Sequence, residues 1–379
     1  MHTVHVTEAL GAGTAEHLIL ATRAGVRRGD RATIVYAERP ELSAEWQQRL
    51  EPEVELLHSP VALRPSAWSR SHLARLRQFL GGLAGDLIHF HGSYAGFVGR
   101  LACRNDLLTA YTPHCFAFLR RDLLPVTRAL TWMGERAAGR YGTLLACSAS
   151  EASLAEHVAY RVKTVPNGIA DHPLFSAPPD PGDDDLVVGC GRLAPQKDPL
   201  AFVRIAGGIA AALGRRIRAL WIGDGRLRQR AVDLSRRLGL HLTVTGWRDR
   251  EDGLELLCGA GVVLYPARWD GLPLTLLEAT ALGRAVIARD TPAARDATGE
   301  PPADHPRSDE ARSAYLVRDE REAISRGAAL LQRPDERVRL GRTARAFWQE
   351  HFTEQRFARR LTETYEALAG EARIRSAAE

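Results

Sequence analysis

Two acids eight positions apart, Asp270 and Glu278, frame the segment Asp270-Gly-Leu-Pro-Leu-Thr-Leu-Leu-Glu278. Pro273 suits the first turn of a helix, which leaves Asp270 in the loop before it and puts Glu278 on its second turn. The N–H groups around Leu274, Thr275 and Leu276 would then be free to face an anion. The apolar run before them ends near Tyr265, so this helix start lies at the carboxyl end of a strand, where α/β sheets bind phosphates. Carboxylates beside such a site can accept hydrogen bonds from sugar hydroxyls. The plainer alternative is a capped surface helix bearing an ordinary Asp and Glu.

A second segment, Gly191-Arg-Leu-Ala-Pro-Gln-Lys197-Asp-Pro, directly follows the strand-like run Leu186–Cys190. Arg192 and Lys197 would leave the sheet on the same side as the acids. Two cations there can neutralise a diphosphate and stabilise it as it departs. Lys197 is one of only two lysines, the other being Lys163. A compact ammonium on a flexible stem fits a phosphate contact. The alternative is a helix-capping loop with solvated charges.

Weaker signals surround these. Gly11-Ala-Gly13 matches a phosphate-binding turn only in part, because Glu16 takes the third glycine position. Gly223-Asp-Gly225 is a lone GxG. Asp183–Asp185 has the spacing of a DxD metal site but reads as a solvated acidic run. His89 and His91 flank Phe90 on a strand, so both imidazoles share one face. His114 follows Thr112-Pro113 at another strand end. Any one of these histidines reads as structural, but three at the carboxyl edge of one sheet read as a site.

These positions need a scaffold of parallel strands. His2–Thr7, a helix over Thr14–Arg28 and a strand at Ala32–Tyr36 form a βαβ unit. Strands follow at Leu87–Phe90, Thr109–Tyr111 and Leu144–Cys147. A second series runs through Leu186–Cys190, Ala219–Ile222, Leu242–Val244, Val262–Tyr265 and Ala285–Ala288, with helices such as Pro199–Leu213 and Arg226–Leu238 between them. Between the series, Pro173, Pro178, Pro179 and Pro181 stand in a stretch without apolar periodicity. The expected division is therefore 1–170, a linker at 171–184, a second domain at 185–350, and a C-terminal helix at 351–379 that overlaps the helical pattern Phe347–Leu368. Thr298–Asp309 reads as a surface loop.

Composition agrees with this plan. A chain of 379 residues is long for one core, and 45% apolar residues can fill two. Only 7% are aromatic, which suits α/β layers better than an all-β sandwich. The net charge of +5 favours anionic partners, but basic and acidic residues alternate and no aromatic RNA-binding signature occurs, so nucleic acid is not the expected partner. Five scattered cysteines without a CxxC point to a reduced, cytoplasmic protein and not to a disulfide scaffold or zinc site. The opening residues lack the pattern of a signal peptide, and no apolar run is long enough to span a bilayer.

Taken in order, His5-Val-Thr-Glu-Ala-Leu-Gly11, His89-Phe-His91-Gly-Ser, Tyr111-Thr-Pro-His114, Val165-Pro-Asn-Gly168, Gly191-Arg192 with Lys197, Gly223-Asp-Gly225, Thr245-Gly246 and Asp270 with Glu278 resemble glycosyltransferase family 4, nearly end to end. The resemblance implies the GT-B fold: two Rossmann-like domains whose parallel sheets face each other across a cleft. It implies a retaining transferase using a nucleotide-diphosphate sugar (UDP- or GDP-linked), with no cofactor and no metal. Arg192 and Lys197 would hold the donor diphosphate, helped by the helix starting near Leu274 and the turns at Gly191, Gly223, Gly246 and Gly271. Glu278 would bind the ribose, Asp270 the transferred sugar. Gly11 and Gly13 would approach the phosphates or acceptor. His114 would lie near the reacting centre, with His89, His91 and Cys115 on the acceptor side. Two positions depart from the family's pattern: Asp270 stands where Glu is usual, and Cys115 where Gly is usual.

Other readings are a nicotinamide dehydrogenase, which Glu16 disfavours, a sugar-nucleotide epimerase on the same scaffold, or a non-catalytic sugar- or lipid-binding protein. The acceptor can be a small molecule, a saccharide or a lipid-linked sugar. Phe116–Arg140 mixes Phe116, Phe118 and Trp132 with Arg120, Arg121 and Arg128. It reads first as a core helix preceded by a basic loop, and second as a peripheral contact with the inner membrane face.

Overall fold

Strands that are apolar along their whole length need cover on both faces, which in a parallel sheet comes from the crossover helices. The computed structural model has this architecture, describing residues 1–8, 11–37, 45–61, 63, 69–104 and 106–378. It forms two compact units, Met1–Ala170 with Glu354–Glu379, and Asp171–Thr353.

The first unit contains β1 (His2–Thr7), β2 (Arg31–Tyr36), β3 (Glu55–His58), β4 (Leu87–His91), β5 (Thr109–Thr112), β6 (Thr143–Ala146) and β7 (Val162–Thr164). They make one parallel sheet in the order β3-β2-β1-β4-β5-β6-β7. Its helices are α1 (Ala12–Val26), α2 (Glu45–Gln48), α3 (Arg70–Gly82), α4 (Ser93–Cys103), α5 (Pro125–Ala138) and α6 (Ala149–Ala155). The second unit has β8 (Asp183–Cys190), β9 (Arg218–Ile222), β10 (His241–Val244), β11 (Ala260–Tyr265), β12 (Val286–Arg289) and β13 (Tyr315–Val317), parallel in the order β10-β9-β8-β11-β12-β13. Its helices are α7 (Pro199–Leu213), α8 (Arg228–Arg237), α9 (Arg250–Cys258), α10 (Leu274–Ala281), α11 (Pro292–Thr298), α12 (Glu320–Leu331) and α13 (Pro334–His351). The last helix, α14 (Glu354–Ala378), belongs to the first unit. Both sheets are doubly wound. Their strand order reverses between β1 and β4 and between β8 and β11, the places where such sheets bind ligands.

In the first unit Val4, Val6, Ile88, Phe90, Tyr111 and Leu144 fill one side of the sheet, while Leu87, Ala110, Leu145, Phe357, Leu361 and Leu368 fill the other. Helix α4 comes unusually close to the strands. A Cβ at Gly96 would lie 2.1 Å from the Tyr111 ring, and one at Gly99 would lie 2.1 Å from the Phe90 ring. In the second unit Val187, Phe202, Ile209, Val262, Leu264 and Ile287 surround Trp221.

Two boundaries fall elsewhere than the sequence suggests. Residues 171–184 are packed into the second unit. Phe175 is buried edge-on against Trp348, with ring centroids 5.2 Å apart. Asp180 pairs with the buried Arg284 at 2.9 Å, and Arg337 donates to the Pro181 carbonyl at 2.7 Å. Proline density reported the irregular backbone correctly but not its burial. The acidic run that follows is also fully used: Asp183, Asp184 and Asp185 pair with Arg218, Arg337 and Arg215, and the strand begins at Asp183. The helical pattern Phe347–Leu368 is likewise two helices. It breaks at Phe352 and Thr353, leaving Trp348 in one unit and Phe357 in the other.

Candidate functional site

In the second unit the loop after β8 turns sharply. Gly191 has φ 124°, and a Cβ there would press on the Lys197 stem at 3.2 Å. Gly223, with φ 129°, lets the turn after β9 approach within what would be 2.4 Å of the Gly191 carbonyl. Gly223 also bridges to Gly246 after β10. Three strand ends are thereby gathered at one edge. The loop is tied to the end of β11 as well, through Arg268 N–H donating to the Gln196 carbonyl at 2.8 Å.

Lys197 meets its partners inside this frame. Its ammonium donates to Tyr265 Oη at 2.7 Å and to Asp270 Oδ2 at 2.5 Å. Tyr265 also donates to Asp270 Oδ2. Gln196 Nε2 reaches the Trp269 carbonyl at 3.2 Å and Asp270 Oδ1 at 3.4 Å. Arg192, by contrast, is exposed. The first cation is thus oriented by partly buried polar partners, while the second is free to move onto a ligand.

Pro273 precedes α10 as its cap instead of opening its first turn. Its carbonyl takes the Leu276 N–H at 3.0 Å, so Leu276 offers no free donor, contrary to the expectation from sequence. Leu274 and Thr275 N–H make no hydrogen bond among the described residues and head the helix toward Gly271 and Asp270. Glu278 does sit on the second turn, with Arg250 Nε 3.3 Å from Oε1. Cys190, at the end of β8, lies between these groups. Burial and the Glu278 carboxylate push its thiol up to about 11, against the opposing pull of the Thr275 hydroxyl and Lys197. It is therefore an uncharged thiol at neutral pH. Arg192, Lys197, Asp270, Glu278, Gly191, Gly223, Gly246 and Gly271 all belong to this unit, and the arrangement can bind an anion beside hydroxyl-accepting carboxylates.

The first unit carries a different cluster at the same edge of its sheet. The β1–β4 register sets His5 beside His89 and Thr7 beside His91. His89 and His91 share one face as their spacing requires, with ring centroids 4.0 Å apart. Both are buried, as are His5 and His17. His91 is a link in a chain: Nε2 is 3.0 Å from His5 Nδ1, and Nδ1 is 3.1 Å from His114 Nε2. His89 is spent on the fold. The Thr112 hydroxyl gives its single proton to the Leu145 carbonyl at 2.9 Å, so it accepts from His89 Nε2–H at 2.9 Å. His89 Nδ1 then accepts from Tyr365 Oη at 2.6 Å. Direct acceptor contact does not fit His89, whose two nitrogens face inward.

Burial, more than any other cause, lowers all five imidazoles: His5 to about 3, His17 to about 4, and His89, His91 and His114 well below the usual histidine range. His114 and Cys115 have φ of 54° and 105°, a region unfavourable to side chains. Buried Glu151 pins this turn by accepting from Cys115 N–H and Cys147 N–H, each at 2.8 Å. The positive φ at Cys115 gives a backbone reason for glycine at that place. Gly11 caps α1 and Gly13 lies exposed in its first turn, at the carboxyl end of β1. Arg49 pairs with Glu16, so the residue that breaks the glycine pattern serves the fold.

Helix α5 is not a core helix. Only Glu135 and Ala138 are buried on it. Val126, Leu130 and Met133 point outward at helical spacing, 63%, 62% and 59% exposed, next to Leu124 and Trp132. Arg121, Arg136 and Arg140 are exposed beside them. Among the described residues no helix is long and apolar enough to cross a membrane.

Known proteins match both units. The family described as Glycosyltransferase Family 4 matches residues 11–172, and that described as Glycosyl transferases group 1 matches residues 174–345. The chain belongs to the family 4 type of GT-B glycosyltransferases. A curated relative, UDP-Gal:alpha-D-GlcNAc-diphosphoundecaprenol alpha-1,3-galactosyltransferase of Escherichia coli, is 29% identical over 225 residues, 52% of this chain and 56% of its own. The chain thus spans little more than half the length of that relative. Sucrose-phosphate synthase from Thermosynechococcus elongatus shares the fold with a TM-score of 0.76 at 18% identity, over 98% of this chain and 100% of its own. Anabaena HepE, solved with UDP-glucose, has a TM-score of 0.75 at 15% identity, over 97% of this chain and 100% of its own.

For a family 4 glycosyltransferase, the sequence reading missed Tyr265, Gln196, Arg250 and Cys190. Tyr265 was the most accessible of them, as a hydroxyl ending a buried strand five places before Asp270. Arg250 carries no local signal, because its meeting with Glu278 brings the start of α9 to α10.

Proposed function

We propose that this protein transfers a sugar from a UDP-linked donor to a lipid-linked saccharide acceptor, with retention at the anomeric carbon and no metal at the diphosphate. The observation that carries this reading is the grouping of Arg192, Lys197 and the Leu274 and Thr275 N–H groups at one sheet edge, beside Asp270 and Glu278. The two cations and the helix start would take the diphosphate, Glu278 the ribose and Asp270 the transferred sugar. Asp270 is a methylene shorter than the usual Glu, and Lys197 and Tyr265 fix its position. The UDP-glucose complex of HepE and the substrate name of the curated relative favour UDP over GDP. The outward apolar stripe of α5 with its arginines suits an acceptor anchored in an anionic membrane, which the helix would meet in the interface plane.

The acceptor hydroxyl attacks the face from which the diphosphate leaves. The new glycosidic bond forms as the anomeric C–O bond to phosphate breaks, and the departing phosphate oxygen takes the hydroxyl proton. Arg192 and Lys197 steady the charge that develops there. His114 contributes to rate by favouring positive charge at the ring and is not an obligatory base.

Thermal denaturation with UDP, GDP and ADP tests the donor. A ligand at a hundred times its Kd adds about 2.7 kcal/mol, so UDP should raise the melting temperature most. A shift with GDP or ADP and none with UDP overturns the donor assignment. Product NMR tests the chemistry. An inverted anomeric centre, or a sugar trapped covalently on the protein, overturns retention by same-face attack. His114→Ala should lower the rate and leave the anomer unchanged.

A further inference from the structure

His17 has no part in the reaction proposed above, yet one of its ring nitrogens is among the few buried side-chain polar atoms left without a partner among the described residues. It is 3% exposed, and its Nδ1 lies 2.8 Å from Asn167 Oδ1. An amide oxygen only accepts, so Nδ1 carries the proton and Nε2 is left with a bare lone pair. That Nε2 is buried and has no hydrogen-bond partner. Its ring stands edge-on to His114, with centroids 4.6 Å apart, and 5.2 Å from the centroid of His91. His17, His91 and His114 each bring a ring nitrogen within 4.8 Å of the others.

We propose that His17, His91 and His114 form a three-imidazole site for a borderline divalent transition ion, with Zn2+ the first choice. Tetrahedral zinc holds imidazole nitrogens at 2.0–2.1 Å, which sets neighbouring nitrogens about 3.3 Å apart. His91 Nδ1 and His114 Nε2 already stand 3.1 Å apart. Two of the outer ring nitrogens, those of His17 and His91, are held as the outer partners of metal-bound histidines usually are. Asn167 takes the proton on His17 Nδ1, and His5 Nδ1 faces His91 Nε2. Since burial keeps the imidazoles neutral, the ion displaces no charge: the proton shared by His91 and His114 moves to the far nitrogen of its ring. His114, the partly exposed member of the three, leaves a fourth position for water. The neighbouring set His5, His89 and His91 is a poorer site, because both nitrogens of His89 are engaged. The site does not rest on the transferase reading. Where both hold, an ion on His114 withdraws it from the reaction, so Zn2+ inhibits transfer and a chelator restores it.

The test is titration of tag-free protein with Zn2+ against a chromophoric chelator, and with Co2+ followed in the visible range. The expected result is one ion per chain, the intense spectrum of tetrahedral cobalt, and at least about tenfold weaker uptake in both His17→Ala and His114→Ala. Circular dichroism checks that each variant is folded. If His17→Ala does not fold, Asn167→Ala replaces it, removing only the outer partner and weakening uptake by about ten- to a hundredfold. No uptake, the pale spectrum of an octahedral site, or undiminished uptake in either folded variant overturns the proposal.

Discussion

The carboxyl ends of β1, β4 and β5 carry imidazoles packed ring against ring, largely sealed from water. The carboxyl ends of β8 and β11 carry an ammonium, two carboxylates and a phenol, partly open, with a second cation exposed beside them. Both clusters lie at the reversal point of a doubly wound sheet. The shared topology fixes where a ligand binds, but burial decides the electrostatics. Sealed imidazoles stay neutral and act through lone pairs and shape. Cations at a partly wetted edge can be lent to a phosphate.

The largest effect expected from this contrast is on acid stability. Unfolded histidines protonate near 6.5, whereas folded His5 does so at about 3 and His17 at about 4. With folded values depressed, their contribution is complete above 6.5 and is lost as pH falls toward the folded values. At pH 4 these two alone cost on the order of 6 kcal/mol relative to neutral pH. Calorimetry from pH 7 to 4, with limited proteolysis to identify which unit opens, should show the first unit failing first. Equal acid sensitivity of the two units would break the comparison.

Next in size is loss of a cation. Arg192→Ala and Lys197→Ala should each reduce turnover about a hundredfold, or about 3 kcal/mol of barrier. Arg192 is exposed, so its removal should leave the melting temperature unchanged. Lys197→Ala also strips Asp270 of a partner and should lower it. Normal turnover in both variants would remove the diphosphate from this edge.

The smallest effect sharpens the role of the phenol. Tyr265→Phe deletes the hydroxyl between Lys197 and Asp270 and keeps the ring. About 1 kcal/mol is expected, a fall of roughly fivefold in kcat/KM, in steady-state assays. A loss as large as that of Lys197→Ala would make Tyr265 a direct participant and not a support.

Much of this was legible in the chain itself. Buried strands announced themselves by continuous apolar runs, and Pro199–Leu213 matches α7 at both ends because Pro marks its start and Gly214 its stop. The edge strands β3, β7 and β13 were not read, since Glu55–His58 and Val162–Thr164 mix polar with apolar residues and are only partly buried, and Tyr315–Val317 holds just three residues. The linker reading failed at Phe175 and Arg337, whose burial depends on residues far away in sequence. On α5 the residue types were visible, but which face lay outward was not.

What the sequence determined alone was therefore local and periodic: the alternation of strand and helix, the glycines at sharp turns, and the placement of Arg192, Lys197, Asp270 and Glu278 after strands. Those follow from backbone geometry and short-range sterics, which a few neighbouring residues specify. Tertiary structure decided which charges are paired and which are free, and which imidazoles keep a bare nitrogen. Hydrogen-bond partners and dielectric surroundings come from segments distant in the chain. His17 meets Asn167 only because α1 packs beside the loop after β7, a contact 150 positions apart in sequence.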